Sequence, residues 1–371
     1  MQDDPGRAAP ATIGLAAGGT GGHLFPAEAL ARELLARGHD VVIHTERRGA
    51  QYTRALDGLA HVVLPASSLE GGIAAKLRAV LAILRGVLGS RRDLRRRRAA
   101  LLVGFGGYPS FAPALAARSL GLPLVLHEQA TRLSKANARL LRFASALATS
   151  FPTVEGADGF DPARIVQTGN PVRQAILGAR GDYPPLSADG PLRLLVVGGS
   201  QGAAVFGRVV PPALLQLPED LRRRLHVSLQ YRGDDPDALR ARLREAGIDA
   251  AVQPFFHDIG DRLRESHLVI TRAGASTAAD LLVIGRPAIF VPLPHGGSRE
   301  EQRRNAQTLA DAGAGWHVPE PEFTPEALAR LLGGLFASPT RLQDAARAAS
   351  ALGRPDAAAR LADLVERVLA G

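Results

Sequence analysis

The chain has 371 residues, 46% of them hydrophobic, and a formal net charge of +9. That length favours two domains over one core, and that apolar fraction excludes a disordered chain. With no cysteine, disulfides, thiolate metal sites and a cysteine nucleophile are excluded.

In chain order, Met1–Pro10 is polar and carries Asp3 and Asp4 where a signal peptide would be basic. No apolar run approaches the ~18 residues needed to span a bilayer, so a soluble or peripheral, cytoplasmic protein is expected. Thr12 to Gly18 reads as a buried strand, and Pro26 to Arg37 as a helix with Pro26 in its first turn and Gly38 as its cap. Val41–Thr45 is a second strand. Ile73, Leu77, Val80, Leu81, Leu84 and Leu88 recur at helical spacing, with Lys76, Arg78 and Arg85 between them and Arg91, Arg92 and Arg95 to Arg98 beyond. The alternation continues through Leu101–Gly104, Ser110–Leu120, Leu122–His127, Leu133–Phe143 and Ala146–Ser150. Short apolar runs separated by helices predict a parallel sheet covered on both faces.

Gln174 to Pro191 is rich in Gly and Pro and reads as an interdomain linker. A second series follows: Leu192–Val197, Ala203–Leu217, His226–Tyr231, Pro236–Ala246, Val252–Phe256, Leu268–Thr271, Thr277–Ile284, Ala288–Pro292 and a helix near Glu300–Ala312. Helices close the chain from about Thr324, including Asp356–Leu369. The fold class is therefore α/β, with two similar halves.

Three glycine-rich stretches follow apolar runs: Gly18 to His23, Gly104 to Ser110 and Gly198 to Ala203. Glycine lets backbone approach a ligand closely, and a following helix offers unpaired N–H groups and a positive dipole end. The pattern suggests a substrate bearing phosphates. The first stretch starts like a dinucleotide fingerprint, with Glu46 as a ribose-binding acid, but Leu24 stands where the third glycine belongs. No Gly-Lys-Ser/Thr follows any of them, which disfavours ATP hydrolysis. His23 ends the first loop, where a neutral imidazole can take a proton from a hydroxyl. Arg272 to Thr277 forms a fourth turn, with Ser276 or Thr277 as a helix cap and Asp280 one turn on. Asp235-Pro236-Asp237 resembles a D-x-D metal signature, but reads better as the start of the helix Ala238–Ala246, with acids at its positive end; no dedicated metal site is expected.

Seven motifs in register carry a family resemblance: GGTGGHLFPA (18–27), GFGGYPS (104–110), LHEQ (126–129), TGNPVR (168–173), GGSQGA (198–203), TRAGAST (271–277), and Gln302 with Asn305. Over residues 12 to 370 the chain resembles the MurG family of peptidoglycan glycosyltransferases. The resemblance implies a GT-B fold, two Rossmann-like domains with parallel sheets facing across a cleft. Residues 11–173, with a C-terminal helix at about 352–371 packing back, would bind acceptor and membrane; residues 174–351 would bind UDP-GlcNAc. It implies inverting transfer of GlcNAc to the MurNAc 4-hydroxyl of undecaprenyl-pyrophosphoryl-MurNAc-pentapeptide (lipid I), giving lipid II. His23 is the candidate base. Donor contacts would be Thr20, Gly21, Gly22, Arg173, Ser200, Gln201, Gly202, Phe256, Ala275, Ser276, Thr277, Asp280, Gln302 and Asn305. Acceptor diphosphate contacts would be Gly106, Gly107, Tyr108, Ser110, Glu128 and Gln129.

Two positions depart from the family pattern. Ala130 follows Gln129 where Asn is usual, with Asn137 as a candidate replacement, and Asp280 stands for a longer Glu. No cofactor is implied; the motifs leave room for a divalent cation without requiring one.

By itself the segment from Ile73 would be an ordinary packed helix with a solvated basic end. A lipid-linked acceptor makes Ile73, Lys76, Leu77, Leu81, Leu84 and Arg85 candidate contacts with an anionic membrane surface, on the cytoplasmic face of the inner membrane. Other cell-wall synthesis proteins are implied partners. The arginine excess (only Lys76 and Lys135 are lysine) fits an anionic partner or a biased genome. No module or aromatic platform supports nucleic acid. The alternatives are another GT-B UDP-sugar transferase acting on a glycolipid or natural product, or a nucleotide-sugar-binding protein without turnover.

Overall fold

A computed structural model of the chain describes residues 9–19, 21–67, 72–187, 189–199, 203–296 and 299–371, apart from the side chains of residues 54 and 73–76. It divides into two units, residues up to Arg173 with Arg354–Gly371, and Gln174–Gly353. Each is built on one all-parallel sheet.

In the first unit the strands are β1 (Thr12–Ala16), β2 (Asp40–Thr45), β3 (His61–Val63), β4 (Leu101–Gly104), β5 (Leu124–Glu128), β6 (Ala146–Thr149) and β7 (Ile165–Gln167). Their order is β3-β2-β1-β4-β5-β6-β7, with Ala16 opposite Gly104 and Gly104 opposite Leu126. The order reverses between β1 and β4. At such a switch point the loops leaving the two strands diverge and leave a crevice at their carboxyl ends. The first two glycine stretches are those two loops. The topology thus puts side by side what the sequence separates by some eighty residues.

The second unit repeats the plan with β8 (Leu192–Val197), β9 (Leu225–Gln230), β10 (Asp249–Gln253), β11 (Leu268–Thr271), β12 (Ala288–Phe290) and β13 (Gly315–His317), in the order β10-β9-β8-β11-β12-β13. Its switch point lies between β8 and β11. The loop from Gly198 and the turn from Arg272 leave that point together.

Central strands are buried throughout, as in the BBBB pattern of β4 and β11. They read as continuous apolar runs because helices cover both faces. The C-terminal helix Ala357–Ala370 belongs to the first unit: its Leu361, Leu364 and Val365 join Leu24, Leu30 and Leu34 in one core. Each such side chain contributes roughly 1.5–3 kcal/mol on burial. Arg37 fixes the register, pairing with Asp363 at 2.7 Å and Glu366 at 2.8 Å.

Two readings change. The first helix spans Gly21–Ala36 and so starts five residues before Pro26. Proline deletes only the bond to the carbonyl four residues back, so the helix extends through the glycines and places His23 in its first turn. The tract from Gln174 is part of the second unit: the helix Gln174–Gly178 buries Ile176, and the Tyr183 hydroxyl donates to the His267 carbonyl at 2.8 Å. Gly and Pro there mark tight packing turns, not free chain. The short strands β3, β7 and β13 were not anticipated; three residues carry too little periodicity to be seen.

Candidate active site

His23 is half-buried, and its Nδ1 lies 2.8 Å from the Phe105 carbonyl oxygen. A contact that short requires the proton on Nδ1. The Gln129 amide nitrogen, 3.1 Å from Nδ1 and 3.3 Å from the same carbonyl, then donates to the carbonyl's second lone pair. This leaves the Nε2 lone pair exposed to the crevice, with no hydrogen-bond partner among the described residues. Desolvation outweighs the Phe105 bond and lowers the imidazole pKa below its ordinary value, so the ring is neutral at pH 7. It is a base already in the right tautomer.

Gly107 makes the second wall. It has φ +70°, and a Cβ there would stand 3.3 Å from His23 Nε2. Both the backbone conformation and the space call for glycine. Gly106, at φ +79°, packs against Ser134 and Asn137, and Tyr108 lies half-buried beside them.

Ser110 and Glu128 have a different job from the contact expected of them. Ser110 is fully buried, and its hydroxyl faces the carbonyls of Ala16 and Gly106, each at 2.7 Å, tying the two loops together. Glu128 is buried and accepts the N–H groups of Gln129, Ala130 and Ser134 and the amide of Asn137 at 2.9 Å. Burial raises its pKa against those bonds. Both shape the loops from within. Asn137 is fully buried and bonds to the His127 carbonyl and Glu128, and Ala130 is buried too. Asn137 therefore supports this segment from inside rather than replacing a surface amide. Behind them His127, unforeseen from sequence, donates from Nε2 to the Gly169 carbonyl at 3.0 Å, and burial lowers its pKa to about 4.

Gly21 and Gly22 open the helix that carries His23. Thr20 lies outside the described residues, as do Ser200, Gln201 and Gly202. Arg173 stacks over the Phe25 ring at 4.1 Å, near Glu28.

In the second unit the helix Ala275–Ile284 begins at Gly274 with no side-chain cap. Ala275, Ser276 and Thr277 form its first turn, the place where an anion binds best, and Asp280 is half-buried one turn on. The approach is held by Arg272, which donates to the carbonyls of Val291 and Pro292 and pairs with Glu320 at 2.6 Å. Gln302 accepts the Leu293 N–H at 3.2 Å. Asn305 is fully buried; its Nδ2 donates to the Ala273 carbonyl at 3.1 Å and braces this turn, while its Oδ1 has no hydrogen-bond partner among the described residues. Phe256 is buried, with its ring under the Arg262 guanidinium. Gln230, unforeseen, takes the Gly198 N–H at 2.9 Å and holds the entry of the third glycine loop. The signal for such residues is positional: they end the strand next to the one that feeds the loop. Among the described residues no three His, Asp or Glu side chains are grouped to hold a metal ion.

On the helix Ile73–Arg96, Leu77 (67%), Leu84 (55%) and Leu88 (66%) are exposed, with Val80 and Leu81 on the same face and Arg85 exposed beside them. The side chains of Ile73 and Lys76 lie outside the description. Of the arginine run, Arg96 and Arg97 are paired with Asp93. Among the described residues no helix is long and apolar enough to cross a membrane.

Residues 13–149 match the family model of the glycosyltransferase family 28 N-terminal domain, and residues 193–361 that of its C-terminal domain. A UDP-N-acetylglucosamine–N-acetylmuramyl-(pentapeptide) pyrophosphoryl-undecaprenol N-acetylglucosamine transferase from Rhodospirillum centenum is 50% identical over 96% of this chain and 94% of its own length. A protein of the same description from Methylobacterium sp. (strain 4-46) is 49% identical over 95% of each. The crystal structure of Acinetobacter baumannii MurG superposes with a TM-score of 0.76 at 31% identity, covering 96% of this chain and all of that one. The two Rossmann-like units are those of the GT-B glycosyltransferases, and the chain belongs to glycosyltransferase family 28 and, within it, to the MurG family.

Proposed function

We propose that the chain transfers N-acetylglucosamine from UDP-GlcNAc to the MurNAc 4-hydroxyl of undecaprenyl-pyrophosphoryl-MurNAc-pentapeptide, converting lipid I to lipid II. The observation that carries this reading is the unpartnered, neutral Nε2 of His23 against Gly107, in a chain half identical to transferases of that description. The acceptor hydroxyl gives its proton to Nε2 as its oxygen bonds to the anomeric carbon. The bond from that carbon to the UDP oxygen breaks with inversion. Charge gathers on the departing diphosphate, for which the first turn of the helix Ala275–Ile284 offers N–H groups and a helix dipole. Gly106, Gly107 and Tyr108 serve the acceptor diphosphate. Asp280 serves the donor ribose, and Gln302 a sugar hydroxyl.

The test is incubation of fresh, folded protein with radiolabelled UDP-GlcNAc and lipid I. Labelled lipid II is the expected product, and its absence would sink the reading.

A lipid acceptor must be met at a membrane, and the exposed Leu77–Leu88 face with its flanking arginines suits peripheral binding to anionic lipid on the cytoplasmic side. Each leucine gains roughly 1.5–3 kcal/mol by leaving water. Replacing Leu81 and Leu84 together by serine should cut co-sedimentation with anionic vesicles by about tenfold or more. The double variant should still turn over a soluble acceptor analogue. Undiminished sedimentation would remove this face from the membrane contact.

A further inference from the structure

Glu46 is 5% exposed and its carboxylate accepts three backbone N–H groups. Oε1 takes Gly19 and Gly49, each at 2.8 Å, and Oε2 takes Arg48 at 2.7 Å. The bonds to Arg48 and Gly49 are local and close the turn after β2. The bond to Gly19 crosses to the loop after β1, which the turn itself does not need.

Other contacts press the same parts together. A Cβ on Gly49 would stand 2.1 Å from Thr45 Oγ1 and 3.1 Å from the Gly18 Cα. A Cβ on Gly18 would meet Pro109 at 3.2 Å, and one on Gly19 would face the Tyr108 ring at 3.8 Å. The Tyr108 hydroxyl interacts with both Glu46 and the exposed Arg48. Tyr108 follows Gly107, the residue against His23 Nε2.

Glycine loops with positive φ at Gly19, Gly106 and Gly107 are costly to order, and charge-assisted bonds are the strong way to hold them. The carboxylate also occupies the Gly19 N–H, the donor that a phosphate would need there. We propose that Glu46 is a positioning residue for the transfer reaction, setting the loop before His23 through Gly19 and the loop after β4 through Tyr108. The first loop thereby serves as the mount of the base. This rests on the transferase reading.

The sign of one kinetic effect separates positioning from simple charge. Removing a negative charge beside an anionic acceptor would, on electrostatics alone, improve acceptor use. Loss of positioning worsens it. Glu46→Gln and Glu46→Asp are made in the full chain and assayed with UDP-GlcNAc and a soluble short-chain pyrophosphoryl-MurNAc-pentapeptide. Asp keeps the charge but is one methylene too short to span three N–H groups.

Both variants should lose about tenfold or more in kcat/KM for the acceptor, with the KM for UDP-GlcNAc little changed. Backbone hydrogen exchange should quicken in peptides covering residues 15–24 and stay unchanged in the second unit. An acceptor kcat/KM equal to or above wild type in either variant overturns the proposal, and so does an equal loss toward both substrates. If the wild-type protein forms no product, the transferase reading itself fails. The exchange measurement then decides alone, and unchanged exchange at residues 15–24 in Glu46→Gln overturns the positioning role.

Discussion

His23→Ala should lower kcat by about 10²–10⁴-fold, the usual worth of a positioned general base, while UDP affinity measured by calorimetry stays close to wild type. The asymmetry follows from the geometry. Nδ1 is spent on the Phe105 carbonyl inside the unit, and only Nε2 faces the crevice, so truncation removes a proton acceptor without touching the donor's nucleotide. Equal losses in turnover and UDP affinity would mean that the ring positions the donor and is not the base. The pH profile gives a second check. Because burial holds the His23 pKa below the ordinary 6.5, the catalytically useful neutral form persists below that pH. Activity should fall only as the pH drops through the lowered value. In His23→Ala that acid limb should vanish along with most of the rate. An unchanged limb in the variant would assign it to another group.

Much of this site was legible as pieces. Glycine clusters after apolar runs announce strand-to-turn junctions, and seven motifs in register identify the family. What the sequence hides is adjacency and commitment. The strand order brings the Gly18 and Gly104 loops together because β1 and β4 pair across a reversal, and no local pattern encodes that pairing. Ser110 and Glu128 look like ligand contacts because hydroxyls and carboxylates bind sugars and phosphates. Their hydrogen bonds go instead to the Ala16 carbonyl and to the amides of residues 129 to 134. Polar residues inside a switch-point crevice divide into those that touch substrate and those that satisfy the loops, and composition cannot tell them apart. Glu46 shows the same limit. After a strand it suggests a ribose-binding acid, whereas its three N–H partners make it an internal anchor.

Arg286→Met should destabilise the second unit by about 3–5 kcal/mol, the range for breaking a buried charged network. In a domain of this size that corresponds to a fall of roughly 10 °C or more in its melting temperature. The residue stands in Gly285-Arg286-Pro287, just after the helix Ala275–Ile284, and is 1% exposed. Nε donates to the Leu263 carbonyl at 3.0 Å and Nη1 to Ile284 at 2.8 Å and Gly285 at 3.1 Å. Nη2 donates to Asp182 at 2.9 Å and Arg264 at 2.6 Å. All five donors are used on carbonyls. Four of those carbonyls end the helices Ile259–Glu265 and Ala275–Ile284, where orphan acceptors and the negative dipole end favour a cation. The fifth pins the tract that follows Gln174. Burial pulls the guanidinium pKa down to about 10, yet it remains charged at neutral pH. Methionine fills similar volume but withdraws the donor from all five carbonyls; Leu263 keeps its bonds from Ser266, while those of the buried Ile284 and Gly285 lose their side-chain partner. Arg286→Lys, with three donors on a point charge, satisfies at most three of the five acceptors and should also destabilise. Differential scanning calorimetry decides the matter. A melting temperature within about 2 °C of wild type for Arg286→Met, less than 1 kcal/mol in a domain of this size, would show that these carbonyls find other partners and that the guanidinium does not hold the helix ends.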